Sequence, residues 1–345
     1  MIIFTITHII CTQDGVDFCE IEEQSRSWLK HPTDPFSNGF TFDDKILKDL
    51  DVIAAIESNQ PNKIVKKSYH ITNVDRSAFA RISGAIAGKY GDIGFKSSLQ
   101  FDLTGGAGQS FGAFICNGID ITLTGYANDY VAKGMAGGSI IINPPPQDER
   151  VKGSALFKES SGHSVVGNTV LYGATGGTLL VRGRGGERFA VRNSGASAVI
   201  EGLGDHGCEY MTAGNVICLG SVGRNFAAGM TGGLAFILPD ENWFLEGDSK
   251  QQTKTNKDID FKEFVNGESV SIRKLTRSNE AAMEHIKSLL SRHVKFTNSS
   301  RGQKVLANIE SFIEKFWVVI PNSEKTNPIL LDSKEHSSKS EGALQ

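Results

Sequence analysis

The sequence predicts an all-β fold, a right-handed β-helix (solenoid) with flanking α-helices, on three observations. Glycine is concentrated: 32 of the 38 glycines lie between Gly84 and Gly233. Within that stretch short β-branched runs recur, most closing on glycine, at intervals of 16 to 24 residues that cluster near 19. Self-similarity at such a period marks a repeat architecture. Runs such as Ile140-Ile-Ile142 lack polar alternation, which suits a strand covered on both faces. An ordinary β-sandwich would want longer alternating strands and Asn-Gly or Asp-Gly hairpin turns, and neither dominates.

Taken in order, the chain opens on an apolar segment, Met1 to Cys11. It is too short to span a bilayer, which needs about 20 apolar residues, and it lacks the basic start of a signal peptide. A buried strand is the expectation. Residues 41–58 read as a helix, with Asp43 and Asp44 at its start and Ile46, Leu47, Leu50, Ile53 and Ile56 on one stripe. The predicted strands are Phe101–Gly105, Ile121–Gly125, Ser139–Asn143, Ser164–Gly167, Leu179–Gly183, Ala198–Gly202, Val216–Gly220 and Ala235–Pro239. A second sub-motif keeps the same rhythm: Gly134-Met-Ala-Gly-Gly138, Gly173-Ala-Thr-Gly-Gly177, Tyr210-Met-Thr-Ala-Gly214 and Gly229-Met-Thr-Gly-Gly233. Glycine there supplies positive φ or room for stacked backbones. Residues 279–294 form an amphipathic helix through Met283, Ile286, Leu290 and Val294. A second helix runs from about Arg301 to Phe316 behind a Ser300-x-x-Gln303 capping box. The polar end, from about Asn322, reads as disordered. The divisions are therefore 1–70 as N-terminal flank, 71–240 as the Gly-rich β-helix, 241–321 as a helical cap and 322–345 as tail.

The net charge of −3 over 345 residues, with charges mixed along the chain, argues against a polyanion-binding arm. The five cysteines, Cys11, Cys19, Cys116, Cys208 and Cys218, include no C-x-x-C pair. This fits free thiols in a reducing compartment and disfavours a zinc or iron–sulfur site built from them alone.

Four features invite a chemical reading. Gly105–Gly112 lacks the spacing of a dinucleotide or phosphate loop, so corner glycines explain it better. Arg182, Arg184, Arg188 and Arg192 suit an anion patch, or a ladder of ion pairs with Glu187, Glu201 and Asp205 as acceptors; the ladder is favoured. Asp205, His206, Cys208 and Glu209 suggest a metal site or a Cys–His pair, with His206 and Cys208 on one face if the segment is a strand. No orienting base or oxyanion site accompanies them, so a structural role is preferred. Asn128-Asp129-Tyr130 needs nothing beyond a turn that bonds its own backbone. No residue is assigned as catalytic, cofactor-binding or metal-binding.

A series of longer words follows the same order along the chain. They are Gly108-Gln-Ser-Phe-Gly-Ala-Phe114, Ala127-Asn-Asp-Tyr-Val131, Lys133-Gly-Met-Ala-Gly-Gly138, Gly167-Asn-Thr-Val-Leu-Tyr-Gly-Ala-Thr-Gly-Gly177, Gly186-Glu-Arg-Phe-Ala-Val-Arg-Asn-Ser-Gly-Ala196, Gly204-Asp-His-Gly-Cys-Glu-Tyr-Met-Thr212 and Gly223-Arg-Asn-Phe-Ala-Ala-Gly-Met-Thr-Gly-Gly233. With Ser37-Asn-Gly39, Asn73-Val-Asp-Arg76, His293, Thr297-x-Ser299 and Phe316-Trp317, they resemble the C-terminal β-helix (GXGXG) domain of the glutamate synthase large chain over about 37–325. Ala213 and Gly186 depart from that pattern. The ending Phe316–Glu324 is similar to the ferredoxin-dependent branch. The resemblance implies an enzyme that makes two glutamates from glutamine, 2-oxoglutarate and reductant, using FMN and a 3Fe–4S cluster. It makes residues 1–70 the end of the synthase region and implies that this domain braces the amidotransferase and FMN domains without catalysing anything itself. Neither the N-terminal cysteine, the FMN barrel nor the cluster cysteines of that family are found in this sequence. The expected partners are the remaining synthase domains and, through them, ferredoxin; no nucleic acid or membrane is expected. The expected location is cytoplasm or plastid stroma. The alternative is a stand-alone β-helix binding or regulatory subunit of another amidotransferase or oxidoreductase complex. An autonomous enzyme using Asp205, His206 and Cys208 ranks below both.

Overall fold

The computed structural model describes residues 39–91, 93–145, 164–239 and 261–330. The apolar start with Cys11 and Cys19 lies outside them. The chain divides at Thr41, and every element below belongs to the unit beginning at Phe42.

The helix expected over 41–58 is two helices, α1 (Phe42–Ile46) and α2 (Leu50–Ser58). Asp49 interrupts it. Its backbone is extended, and its carboxylate accepts from the amides of Asp51 (3.0 Å) and Val52 (3.4 Å), so it caps a new helix rather than continuing the old one. α3 (Ala80–Tyr90) was not anticipated, because Gly84 and Gly88 read as part of the repeat region. The residue at its N-cap, Phe79, offers no side-chain cap. Asp43 of α1 supplies one from across the fold, accepting from Phe79 N at 2.7 Å and Arg81 N at 2.9 Å.

Twelve strands among the described residues join one sheet. They are β1 (Ile64–Ile71), β2 (Ser98–Ala107), β3 (Ile119–Ala127), β4 (Ser139–Asn143), β5 (Ser164–Val166), β6 (Thr178–Val181), β7 (Arg184–Gly185), β8 (Ser194–Ile200), β9 (Ala213–Cys218), β10 (Leu234–Ile237), β11 (Val270–Lys274) and β12 (Trp317–Pro321). Their order is β1-β2-β3-β4-β6-β8-β9-β10-β12-β11, with β5 and β7 off this path. The ladder is parallel from β1 to β10 and antiparallel from β10 through β12 to β11. Phe101 pairs with Ile121, Ile121 with Ile140, Leu179 with Ala198, and Val216 with Ala235, so the period near 19 is the register between neighbours.

This corrects the expected class. The described residues are 27% helix and 28% strand, an α/β fold with a mixed sheet, in place of the all-β β-helix. Two physical reasons account for the difference. The flanks do not merely cap the repeat: β1, β11 and β12 extend the same sheet, and helices cover one face of it as a layer. The segments between strands are not strands either. Each places alternate residues at positive φ, as in Ser110/Gly112/Phe114, Tyr130/Ala132/Gly134, Arg188/Ala190/Arg192 and His206/Cys208/Tyr210. In such a turn the first and third amides bond forward and the middle one bonds back. Thus Ser110 N donates to Asp129 O and Phe114 N to Lys133 O, both at 2.8 Å, while Ala132 N donates to Phe111 O at 2.9 Å.

Two cores follow from the two faces of the sheet. On one, Phe101, Ile121, Ile140 and Leu179 pack against turn residues Phe111, Val131, Val170, Phe189 and Phe226. On the other, Ile141, Leu180, Val199, Ile217 and Phe236 pack against the helices α4 (Glu280–Thr297), α5 (Ser300–Ala307) and α6 (Ile309–Phe312). Each such side chain contributes about 1.5–3 kcal/mol on burial. The single helix expected over 301–316 is broken at Asn308 and ends in a 3-10 turn, Ile313–Lys315. Its cap is Ser299, not Ser300: the Ser299 hydroxyl accepts from Gly302 N at 2.8 Å. The tail expected from Asn322 is folded as far as buried Leu330, through two 3-10 turns.

Candidate functional site

A buried polar cluster sits where α4 turns into α5. This elbow crosses the carboxyl ends of four parallel strands, the edge at which open α/β sheets commonly place their sites. Each strand holds it. Asn143, ending β4, donates from Nδ2 to Phe296 O at 3.4 Å. Arg182, following β6, donates from Nη1 to Thr297 O at 3.3 Å. Glu201, following β8, accepts from the Ser299 hydroxyl and lies 3.6 Å from His293 Nε2. Leu219, following β9, accepts from Arg301 Nη1 at 2.5 Å through its carbonyl.

Glu201, His293 and Ser299 are 1%, 0% and 0% exposed. The second Glu201 oxygen and both His293 nitrogens make no hydrogen bond among the described residues. Two guanidinium groups stand close by. Arg184 donates to Ser221 Oγ at 2.9 Å, and burial holds its pKa below the usual arginine value. Burial pushes the neighbouring Cys218 thiol up to about 11, against the opposing pull of a backbone hydrogen bond at Gly220 and of Arg184 and Arg301. A serine, a histidine and a carboxylate in one cluster suggest a triad, but the order is wrong. The serine hydroxyl bonds the carboxylate and not the imidazole, so no base activates it. The lack of exposure also denies a substrate access. The arrangement clamps helix to sheet.

The residues weighed from sequence separate. Arg182 and Arg184 serve the elbow, whereas Arg188 pairs with Glu209 at 3.4 Å and Arg192 lies 5.9 Å from the Tyr210 ring on the opposite edge. The acceptors differ from those expected: Glu201 faces His293, and Asp205 pairs with Arg224 at 3.3 Å. His206 and Cys208 do not lie on a strand face, because both occupy positive-φ positions of a turn. Cys208 is fully buried and its pKa is raised by that burial, the opposite of a nucleophile's environment. Asp205 instead belongs to a ladder that spaces the turns. Its Oδ1 accepts from Arg224 N (2.7 Å), as Asp129 accepts from Asn168 N and Asn168 from Glu187 N (both 2.8 Å). Asn128 bonds the amide of Asp129 at 2.8 Å, the local turn bond expected of it. Gly105 and Gly108 of the 105–112 stretch permit close backbone approach. A Cβ at Gly108 would lie 2.5 Å from Asn73 O.

Sequence reasoning met Glu201 only as an ion-pair acceptor, and His293 and Ser299 only as words of a resemblance. Ser299 and Glu201 are 98 positions apart, so no local pattern links them.

A groove of about 370 Å³ opens on the face of β1–β3 that no described helix covers, its lining including Ser68, His70, Asp102, Thr104, Thr122 and Thr124. It does not fit FMN: its lining has no lysine or arginine for a phosphate, and a carboxylate stands in it. A cluster does not fit either. Among the described residues no three His, Cys, Asp or Glu side chains are placed to hold a metal, and Cys116, Cys208 and Cys218 are buried. No described helix is long and apolar enough to cross a membrane.

A family profile described as GXGXG motif matches residues 43–322. The ferredoxin-dependent glutamate synthase 2 of Synechocystis is 45% identical over 306 residues, covering 89% of this chain and 18% of that protein. The chloroplastic ferredoxin-dependent glutamate synthase 2 of Arabidopsis thaliana is 47% identical over 292 residues, covering 85% and 16%. The chloroplastic ferredoxin-dependent glutamate synthase of spinach is 46% identical over 292 residues. The chain thus spans less than a fifth of the length of these relatives.

Proposed function

The chain belongs to the GXGXG-motif family, and from that premise we propose that it is the C-terminal structural portion of a ferredoxin-dependent glutamate synthase. The observation that carries the reading is the match along most of this chain to under a fifth of each relative, joined to a fold whose buried polar groups serve packing. The clasped helices and the sheet make a firm body against which amidotransferase and FMN domains are braced. Glutamine hydrolysis, ammonia transfer, FMN and the 3Fe–4S cluster belong to that remainder, as does the ferredoxin contact. The cytoplasm or plastid stroma is the matching location, since plant relatives are named chloroplastic.

The test is reconstitution. The Synechocystis relative, shortened by the region this chain matches, is mixed with this chain and assayed for glutamate from glutamine, 2-oxoglutarate and reduced ferredoxin. Activity is expected only from the mixture, with co-elution on size exclusion. A chain that stays monomeric beside the shortened enzyme, leaving it inactive, overturns the reading.

A further inference from the structure

The turn edge opposite the elbow carries a slot that recurs in six turns. It is occupied in order by Phe114, Gly134, Gly173, Arg192, Tyr210 and Gly229, at φ of 59°, 62°, 63°, 52°, 52° and 64°. Three of the six use glycine, which adopts this conformation without cost. The other three hold bulky side chains in it, which L-residues do only against a steric penalty. The backbone bonding does not ask for them, since Gly134 N donates to Tyr172 O as Tyr210 N donates to Ala228 O, both at 2.8 Å, and the Phe114 and Tyr210 rings lie over Gly134 and Gly229 of the next turn with one side left open. Nor are they buried. Phe114 is 54% exposed, Tyr210 53%, and Tyr130 on the same edge 37%.

Their surroundings are chemically specific. Lys133 rests 5.7 Å from the Tyr130 ring, and Arg192 rests 5.9 Å from the Tyr210 ring. Tyr130 meets Tyr172 edge-on at 6.4 Å. No described carboxylate lies within ion-pair distance of Lys133 or Arg192, while Arg188 beside them is paired with Glu209. Exposed tyrosine, phenylalanine and arginine, prearranged by cation–π contacts, are the composition of a binding hot spot. Rings held at costly backbone positions and left half-exposed there present a prearranged surface to a partner.

We propose that this rim, Phe114, Tyr130, Lys133, Tyr172, Arg192 and Tyr210, is the docking face for a carboxylate-bearing protein surface on the remainder of the synthase. The occupant follows from the two cations that face no carboxylate and from the length of the relatives, more than four-fifths of which lies outside the region matched here. The inference rests on the bracing role and names its surface.

Because glycine is the slot's natural occupant, the decisive substitutions spare the fold. Phe114→Gly, Arg192→Gly and Tyr210→Gly relieve the backbone, so Tm should stay within about 3 °C of wild type or rise. Binding to the shortened Synechocystis relative, read by surface plasmon resonance, should weaken about tenfold or more for each. Lys133→Glu lies outside the slot and should weaken binding in the same assay at low salt, with the difference shrinking as salt rises. If the wild-type chain binds and these variants bind equally well, the rim is not the docking face, though the bracing role stands. If the wild type forms no complex, both are overturned. If the chain alone dimerises and the same variants abolish it, the rim is an interface between copies and the proposal fails.

Discussion

Glu201 concentrates the attachment of the helical layer in one carboxylate, and removing it leaves His293 and Ser299 buried without it. Truncating one member of a buried charged or hydrogen-bonded pair costs about 3–5 kcal/mol. Glu201→Ala should therefore lower the urea midpoint by a large fraction of the total stability. A double-mutant cycle with His293→Ala should return a coupling well above experimental error. Glu201 was legible only as a charge, because its partners come from another layer. Gly125 is a second point of this kind: a Cβ there would overlap the Gly105 carbonyl oxygen across the ladder. Gly125→Ala should yield insoluble or markedly destabilised protein on expression, while Gly106→Ala, whose Cβ meets nothing within 4 Å, should fold. The thiols give a pH signature. Cys218 titrates from about 9.0 in the unfolded chain to about 11 in the folded one, and Cys208 is displaced the same way. Folding favours the protonated form, so this contribution is complete below pH 9 and is lost as pH rises through 11. Urea midpoints should fall between pH 9 and 11 by more in wild type than in Cys218→Ala, and equal slopes would refute the assignment.

At the scale of elements, one residue row explains where the helices lie. Ser68, Asp102 and Thr122 continue in register as Ile141, Leu180, Val199, Ile217 and Phe236. The row turns apolar at β4, and the helical layer covers it from there. The amphipathic stripe of α4 was readable before the structure, since Ile286 and Leu290 are buried as a 3.6-residue period requires. Its partner face was not, because the apolar members of the row come one from each strand. Leu290→Ala should cost about 2–5 kcal/mol in urea unfolding. Ser299→Ala loses both a helix cap and the Glu201 contact. It should exceed the ~1 kcal/mol typical of a cap alone. Breaks at Asp49 and Asn308 escaped pattern reading for a common reason: apolar periodicity runs through a cap that interrupts the backbone.

For the whole molecule, the period and the longer words carried two things: where strands occur in the Gly-rich region, and which family the chain joins. Both are properties of local backbone demand, glycine at tight corners and β-branched residues between them, and so they survive in one dimension. The eight strands expected between Phe101 and Pro239 all occur, each within a few residues of its expected place. The fold class was decided only in three dimensions. A period near 19 reports the spacing of paired strands but not whether flanking segments join the sheet, and β1, β11 and β12 do join it. The elbow clasp and the exposed rim were likewise decided there. Burial strengthens the contact between Glu201 and His293 by excluding water, and six stacked turns line up the positive-φ positions whose side chains make the rim. Neither burial nor stacking exists until chain segments far apart in sequence are brought together.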